Sequence, residues 1–581
     1  MNPHDPDDLK RLRDAMSFSR NKLRAFREDR LDAIKQYVGK YYGENGADEE
    51  VPVNYYELAV TIYMQQLVGG APRASVSPLE QNLKPHATDL KIALDRTAER
   101  IGLESTLWRT AQDALFGAGI VKIGMNEPGG EAWWSEIGEP FVIWVDLDDW
   151  VMDMTAKTWE AMAFCGNRYR VPLSTVRESE QFDKKVRENL KPTRKSSTTP
   201  EGDEKASTIG GGLDAEIDEY EDEVELWDIW LPREGLVITL SADDENSRPL
   251  RVVKWTGPRN GPYRMLGYSL VPSNIMPLPP VAIWKDLHDL GNELYLKLGR
   301  QALRQKSILP FRGGSDEDAE AIRESSDGDI LRVDGEVPQE VSYGGPQQVN
   351  LAMFLGVNEL VNRHFGNLDS LGGLSPTAET LGQEEMLSQN ANQRIIFMRR
   401  RVDCFVDGIL TDLAHYLYND PLVSMPLTKR VPRTSVEVPF TWTPDSRRGN
   451  PSLYRISIEP YSLQYRNPQV QVGRVLSHIQ NLILPVLPVL EAQGIGVNFD
   501  ALLKMIAEKE DLPELADVLF FQEPSGLPMA EGAGQPAVTT RNYNRRSIPG
   551  AGRSQKENAL AQALLGSMPQ PAEAATITRG M

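Results

Sequence analysis

Apolar residues recur at helical spacing from the start of the chain. Leu9, Leu12, Met16, Leu23, Phe26, Leu31, Ile34 and Tyr37 alternate with charge and predict a helix over 7–42, ended by Gly43, Asn45 and Gly46. A second helix follows Pro52 and stops at Gly69, Gly70 and Pro72. Residues 86–100 and 104–115 carry two more helical patterns, after which Gly117 and Gly119 break the period and Ile120, Val121 and Ile123 begin a strand. Strand-like runs at 132–137 and 141–145 lead into the acidic turn VDLDDWVMD. Between 191 and 223 the period dissolves into Lys, Ser, Thr, Gly, Asp and Glu, which predicts a flexible insertion. Alternation returns in VELWDIWL, LVITL and RVVKW, three short strands, before six prolines from Pro258 to Pro280 mark an irregular connector.

The helical period resumes over 281–306. A small mixed module at 308–345 contains a short helix near 319–323 and the strands GDILRVDG and QEVSYGG; a shorter helix over 349–364 then returns. A compact domain has little reason to send a helix out, fold a few dozen residues and send a helix back. In FGNLDSLGGLS, Gly366, Gly372 and Gly373 permit conformations other residues resist, so a mobile loop is predicted between long helices. The run from Pro376 to Tyr418 has no further proline and reads as one helix, with Ser375 as N-cap, Pro376 at the first position and Glu379 in the first turn. At ~1.5 Å per residue it would be on the order of 60 Å long. Ile395, Ile396, Phe397, Met398, Val402, Phe405, Val406, Ile409, Leu410, Leu413 and Leu417 make its second half the buried one. Its first half is polar, either wetted or facing a like subunit. Beyond it, 421–433 reads as a connector, and VEVPFTW and YRISIEPYSLQYR as strands expected to rejoin the first sheet. A helical cluster follows, kinked by Pro485 and Pro488, and from Gln522 a tail rich in Gly, Ala, Pro and Gln is expected to be disordered.

This element order resembles the portal proteins of tailed bacteriophages over about residues 7–520. The resemblance is carried also by VPVNYYELAVTIYMQQLVGGAP, by the helix-to-strand passage TLWRTAQDALFGAGIVKIGM, and by the glycine-rich loop followed by Ser375, Pro376, Thr377, Ala378 and Glu379. It implies an α+β portal-type fold with long radial and stem helices, a mixed α/β wing and clip, and a helical C-terminal crown. The wing would occupy 1–280, with the disordered insertion at about 191–223, the stem helix 281–307, the clip 308–347 and the returning stem helix 348–365. The tunnel loop would be 366–375, the long tunnel and wing helix 376–419, the C-terminal wing strands 420–466, the crown 467–521 and the flexible tail 522–581.

The resemblance further implies a dodecameric ring at one capsid vertex of the virion, assembled in the host cytoplasm, through which double-stranded DNA passes without sequence readout. Terminase large subunit would dock on the clip around Gly313–Gly345, adaptor or tail proteins would replace it, and major capsid or scaffolding protein would surround the ring. Asn367, Leu368, Asp369, Ser370, Leu371, Gly372 and Gly373 of the loop would face the bore, as would Lys297, Arg300 and Arg304 of the stem. Those three bases lie at helical offsets of three and four, on one face. A merely solvated basic face is the competing reading.

Composition is that of a folded protein of several domains: 581 residues, 40% hydrophobic and 25% charged. No run approaches the roughly 20 apolar residues of a membrane span, and the N-terminus is charged rather than signal-like, so a cytoplasmic protein without a membrane partner is expected. The formal charge of −20 argues against gripping nucleic acid over the whole surface, because phosphate neutralisation needs clustered Lys and Arg. An acidic wall suits a conduit better than a clamp. Cys165 and Cys404, each in apolar surroundings, are expected to be small core residues rather than a disulfide pair.

Asp146, Asp148, Asp149 and Asp153 are the best candidates for a metal or phosphoryl-transfer site, since closely spaced carboxylates hold hard cations. The calcium-loop pattern fails, with no glycine at the turn position and Lys157 in place of the closing glutamate. A solvated turn is the preferred reading. A metal-dependent hydrolase built on these aspartates is the alternative, and another structural virion component is a third. The P-loop, HExxH, CxxC, GxSxG and helix-opening GxGxxG patterns are absent, and the six histidines are scattered, with His364 reading as a surface residue. No enzymatic activity, catalytic residue, metal ligand or cofactor is expected.

Overall fold

The computed structural model describes residues 3–39, 50–192 apart from 129, 133 and 134, 222–242, 248–308, 320, 323–325, 341–343, 345–366, 381–430, 437–459 and 462–463. All of them belong to the first of the chain's two units, Met1–Tyr465. Outside the described residues lie 193–221 of the expected insertion, most of the residues expected to form the clip, those expected to form the tunnel loop beyond Gly366, the expected Ser375–Pro376 cap, and the segments expected as crown and tail.

Helix α1, Pro6–Val38, starts where Asp5 accepts the amide of Asp7 at 3.2 Å and ends at Gly39, whose φ of 61° suits glycine. Its termination therefore precedes the glycines that the sequence offered as the stop. Helix α2, Tyr55–Leu67, is capped by Asn54, which accepts the amide of Glu57 at 3.1 Å. Strand β1, Ala74–Pro78, precedes α3, Lys84–Arg100, and α4, Leu103–Phe116. Next come β2, Gly119–Met125; β3, Pro140–Val145; β4, Trp150–Met152; and β5, Cys165–Pro172. Two short helices, α5 Leu173–Glu178 and α6 Lys184–Arg187, lead to β6, Glu223–Leu231, β7, Leu236–Ser241, β8, Arg251–Lys254, and β9, Tyr263–Leu266. Helix α7 is Pro280–Leu303, followed by β10, Lys306–Ile308; β11, Val341–Tyr343; α8, Gln348–Phe365; and α9, Leu381–Asn419. The described chain closes with β12, Met425–Arg430, β13, Glu437–Trp442, and β14, Tyr454–Ile458.

The fold thus mixes helix and sheet. Two antiparallel sheets, β3-β2-β9 and β4-β5-β6-β7-β8, stand beside three two-stranded ribbons. Burial explains their choice of strands. Every residue of β6 after Glu223 is buried, which puts it at the centre of the larger sheet. Leu9, Leu12 and Met16 of α1 cover that sheet through Trp227, Ile229 and Ile238, while α2, α3, α4 and the second half of α9 form the largest core.

Four expectations are corrected. Residues described within 132–137 form turns, not a strand, because the chain folds back around Asn126, whose amide donates to the carbonyls of Ser135 at 2.7 Å and Glu136 at 3.2 Å. The proline-rich connector contains β9, where buried Tyr263 and Leu266 fall between prolines instead of being interrupted by them. The C-terminal strands do not rejoin the first sheet: β13 pairs with β12, inside the expected connector, and β14 pairs with β1. In α9, Ile396 and Phe397 are exposed although their neighbours Ile395 and Met398 are buried, and Cys404 is exposed while Cys165 is buried.

Candidate nucleic-acid interface

Helix α7 begins at Pro280, where a fixed φ costs nothing at the first turn. Its inner face docks on the body. Trp284 packs on Phe365, with ring centroids 4.6 Å apart, and on Tyr63 at 5.5 Å. His288 stacks on Tyr56 at 4.0 Å, and burial pushes its pKa down to about 4, so it is neutral at physiological pH. Gly291 lets the ring of Tyr55 approach so closely that a Cβ there would meet it at 2.7 Å. Leu294 and Leu298 continue the buried face outward, and past Leu298 the helix has none.

Lys297, Arg300 and Arg304 all lie on the opposite, exposed side of α7, with Arg304 one residue past the helix end. They share that side with exposed Asp286 and Glu293 and half-buried Asp289, which the sequence reading missed. The six follow one another at intervals of three, four, four, three and four residues, a single file along the helix. The spacing alone could have revealed the acidic half, had the pattern been followed upstream.

At its outer end α7 turns into β10, which pairs antiparallel with β11, Lys306 opposite Tyr343 and Ile308 opposite Val341. The chain returns along α8. Tyr295 meets Phe354 with centroids 5.5 Å apart, and Gln301 Oε1 accepts the amide of Gln347 at 3.2 Å. Only Val357, Val361 and Phe365 of α8 are buried. Its outer half, VNLAMFLG, is apolar nearly all round and mostly uncovered: Val349 is 79% exposed, Met353 51% and Leu355 58%, with Leu351 and Leu360 also exposed. At ~100° per residue, Val349, Met353 and Leu360 form one flank, and Leu351 and Leu355 form another roughly opposite.

At its inner end α8 stops at Gly366, in the left-handed region with φ 91°. Tyr63 donates its hydroxyl to the carbonyl of Phe365 at 2.7 Å and Arg394 of α9 donates to that of His364, so the entry to the glycine loop is pinned from two helices. His364 is exposed there. Asn367, Leu368, Asp369, Ser370, Leu371, Gly372 and Gly373 lie outside the described residues.

The aspartate turn is partly solvated, and its carboxylates are engaged by side chains and backbone of the body. Asp146 caps a short helical turn at Leu147–Asp149 and pairs with Arg30 of α1 at 2.9 Å; Arg30 also reaches Asp113 at 3.0 Å and Asp148 at 3.7 Å. Burial works against the Arg30 charge, but Asp113, Asp146 and Asp148 raise its pKa. Asp149 pairs with Arg168 at 2.7 Å. Asp153 turns away to accept from the Thr155 hydroxyl at 2.6 Å and the Ala163 amide at 3.1 Å. Asp146 and Asp148 thus share Arg30 while Asp149 and Asp153 have partners of their own, and among the described residues no group of three or more His, Cys, Asp or Glu is arranged to hold a metal ion.

A second buried charge centre gave no signal in the sequence. Lys122 of β2 lies 2.8 Å from both Glu131 and Asp228, and its ammonium faces the rings of Tyr169 and Tyr263. Thr239 donates to Asp228 at 2.6 Å and Asn167 to Glu131 at 2.9 Å. Burial opposes all three charges. Asp228 and Glu131 nonetheless raise the lysine's pKa, and Lys122 holds Asp228 below the carboxylate range, while burial leaves Glu131 above it. With side chains no more than 10% exposed, the centre joins the two sheets and does not meet solvent. No helix among the described residues is long and apolar enough to cross a membrane. No protein-family model matches the chain, and no curated protein matches it.

Proposed function

We propose that the chain is the portal protein of a tailed bacteriophage: one subunit of a ring at a capsid vertex that conducts double-stranded DNA in packaging and ejection. The observation that carries this reading is the uncovered outer half of α8. A single apolar flank would be satisfied by a two-fold dimer. Two flanks on opposite sides, with α7 covering a third, call for a neighbour on each side, and repeated heterologous contacts of that kind generate a ring where the rotation between neighbours closes. The out-and-back course of α7 and α8, closed at its neck by β10 and β11, supports the same reading, since it sets those flanks away from the core.

In this ring the pair α7 and α8 is the stem, and the residues between β10 and β11 are the clip on which terminase and later adaptor proteins dock. DNA passes without base recognition, because phosphate contacts position a duplex and only groove contacts specify sequence. The protein resides at the portal vertex of the virion and performs no chemistry of its own.

The test is native mass measurement with negative-stain images of the natural chain and of Leu351→Asp with Leu355→Asp. A closed dodecameric ring with a central channel is expected for the first, and dispersed subunits with unchanged circular dichroism for the second. A two-fold dimer, or a ring that the double variant leaves intact, would overturn the reading.

A further inference from the structure

The file Asp286, Asp289, Glu293, Lys297, Arg300, Arg304 is ordered by sign, three acids and then three bases. Neither of the usual causes of charge patterning on a helix accounts for that order. Intrahelical pairing favours opposite charges three or four residues apart, yet four of the five neighbouring pairs in the file are of like sign, which is destabilising. None of the six is within ion-pair distance of an opposite charge among the described residues. The helix dipole favours bases at the C-terminal turn, which suits Arg300 and Arg304, but its influence fades within the first turn, and Asp286, Asp289 and Glu293 all lie beyond it.

Neighbouring charge sharpens the segregation. Asp29 and Asp32 of α1 stand near the acidic end, where Lys285 is engaged by Asp32. Burial, and then Asp32, Asp286 and Glu293, raise the pKa of Asp289 against the pull of Lys285. The centres of the two zones are about 11 residues, hence ~16 Å, apart along the helix, against a screening length of ~8 Å at physiological salt. A charged partner lying along α7 meets the two zones separately.

We infer that this face of α7 is a two-zone track for duplex DNA, engaging phosphates at Lys297, Arg300 and Arg304 and repelling them at Asp286, Asp289 and Glu293. The inference rests on the proposed function in that the track is taken to face the channel. The gripping zone lies at the outer end, beside the β10–β11 neck, and the repelling zone lies next to the body. Contact is thereby confined to one short band per subunit, so that a duplex is held in register at the neck and slides freely past the rest of the helix. Uniformly basic stems would bind along their whole length and release slowly.

The test uses the full chain and a fluorescently labelled mixed-sequence DNA duplex, with affinity read across a series of salt concentrations and native mass recorded for each variant. Lys297→Gln with Arg300→Gln and Arg304→Gln is expected to weaken binding about tenfold at low salt and to flatten the salt dependence. Asp286→Asn with Asp289→Asn and Glu293→Gln is expected to tighten it about threefold or more, with the gain disappearing at high salt. Unchanged affinity in either variant overturns the two-zone track even where a ring has formed. Shifts of opposite sign in a chain that forms no ring keep the track and remove the channel.

Discussion

Lys122 and Leu355 invert what their chemistry alone would dictate: the lysine is 7% exposed at the junction of two sheets, and the leucine is 58% exposed on α8. At the junction, ammonium, carboxylates and phenols satisfy one another, and two buried or half-buried arginines repeat the device elsewhere: Arg30 with Asp113 and Asp146, and Arg264 with Asp412 at 2.7 Å. On the outer half of α8 apolar side chains stand bare, and on α7 six charges follow one another without an ion pair among the described residues. The buried charges are thus paired within the chain, whereas the apolar flanks of α8 are not covered among the described residues. Charge buried and satisfied fixes the relation of elements within a chain. Apolar surface left bare is, under the proposed function, what would fix a relation between subunits.

The comparison breaks most readily at its buried end. Lys122→Met leaves Asp228 and Glu131 buried without a counter-charge and should cost about 3–5 kcal/mol in urea unfolding. Arg30→Met strands Asp113 and Asp146, which retain some access to water, so a smaller loss of about 2–3 kcal/mol is expected by the same measurement.

Acid should sharpen the contrast. Asp228 has its pKa lowered in the fold, so the stability it contributes is present above the ordinary carboxylate value and is lost as pH falls through its folded value. Glu131, raised by burial, has the opposite sign: its contribution declines as pH rises from the ordinary carboxylate range through its folded value. Melting temperature against pH should therefore fall less steeply below about pH 4 in Asp228→Asn than in the natural chain, although the variant is less stable at neutral pH.

At the exposed end, Leu355→Ser should change the unfolding free energy of dispersed subunits by less than about 0.5 kcal/mol while weakening their association on sizing columns. Smallest of all is Arg24→Ala, which removes an exposed pair with Glu28 and should shift stability by no more than about 0.5 kcal/mol.

Much of the architecture was legible because period and punctuation report burial directly. The α2, α3, α4, α7 and α8 helices, the described part of α9 and the strands of the larger sheet from β6 to β8 fall where apolar spacing put them, and α7 and α8 return on each other as their order suggested. Pairing partners were not legible. Nothing local joins β1 to β14 across more than three hundred residues, or places β12 opposite β13 within an apparent connector. The three bases of α7 were visible from offsets of three and four, but their acidic continuation went unread. Exposure of Ile396, Phe397 and Cys404 depends on which side of α9 the body occupies, which their own apolar surroundings misreported.

The order of elements, the out-and-back helix pair and the signed file on α7 are set by the sequence alone, because spacing on a helix follows from geometry that each residue shares with its near neighbours. Which charges become buried pairs, and which apolar residues stay bare, was decided only by tertiary structure. Asp146 reads as a solvated or metal-binding carboxylate until α1 brings Arg30 to it from 116 positions away, and Leu355, an apolar residue of a helical run, is found 58% exposed on the outer half of α8. Burial is a property of distant segments meeting, and the desolvation it imposes sets the chemistry of a charged or apolar side chain more strongly than its identity does.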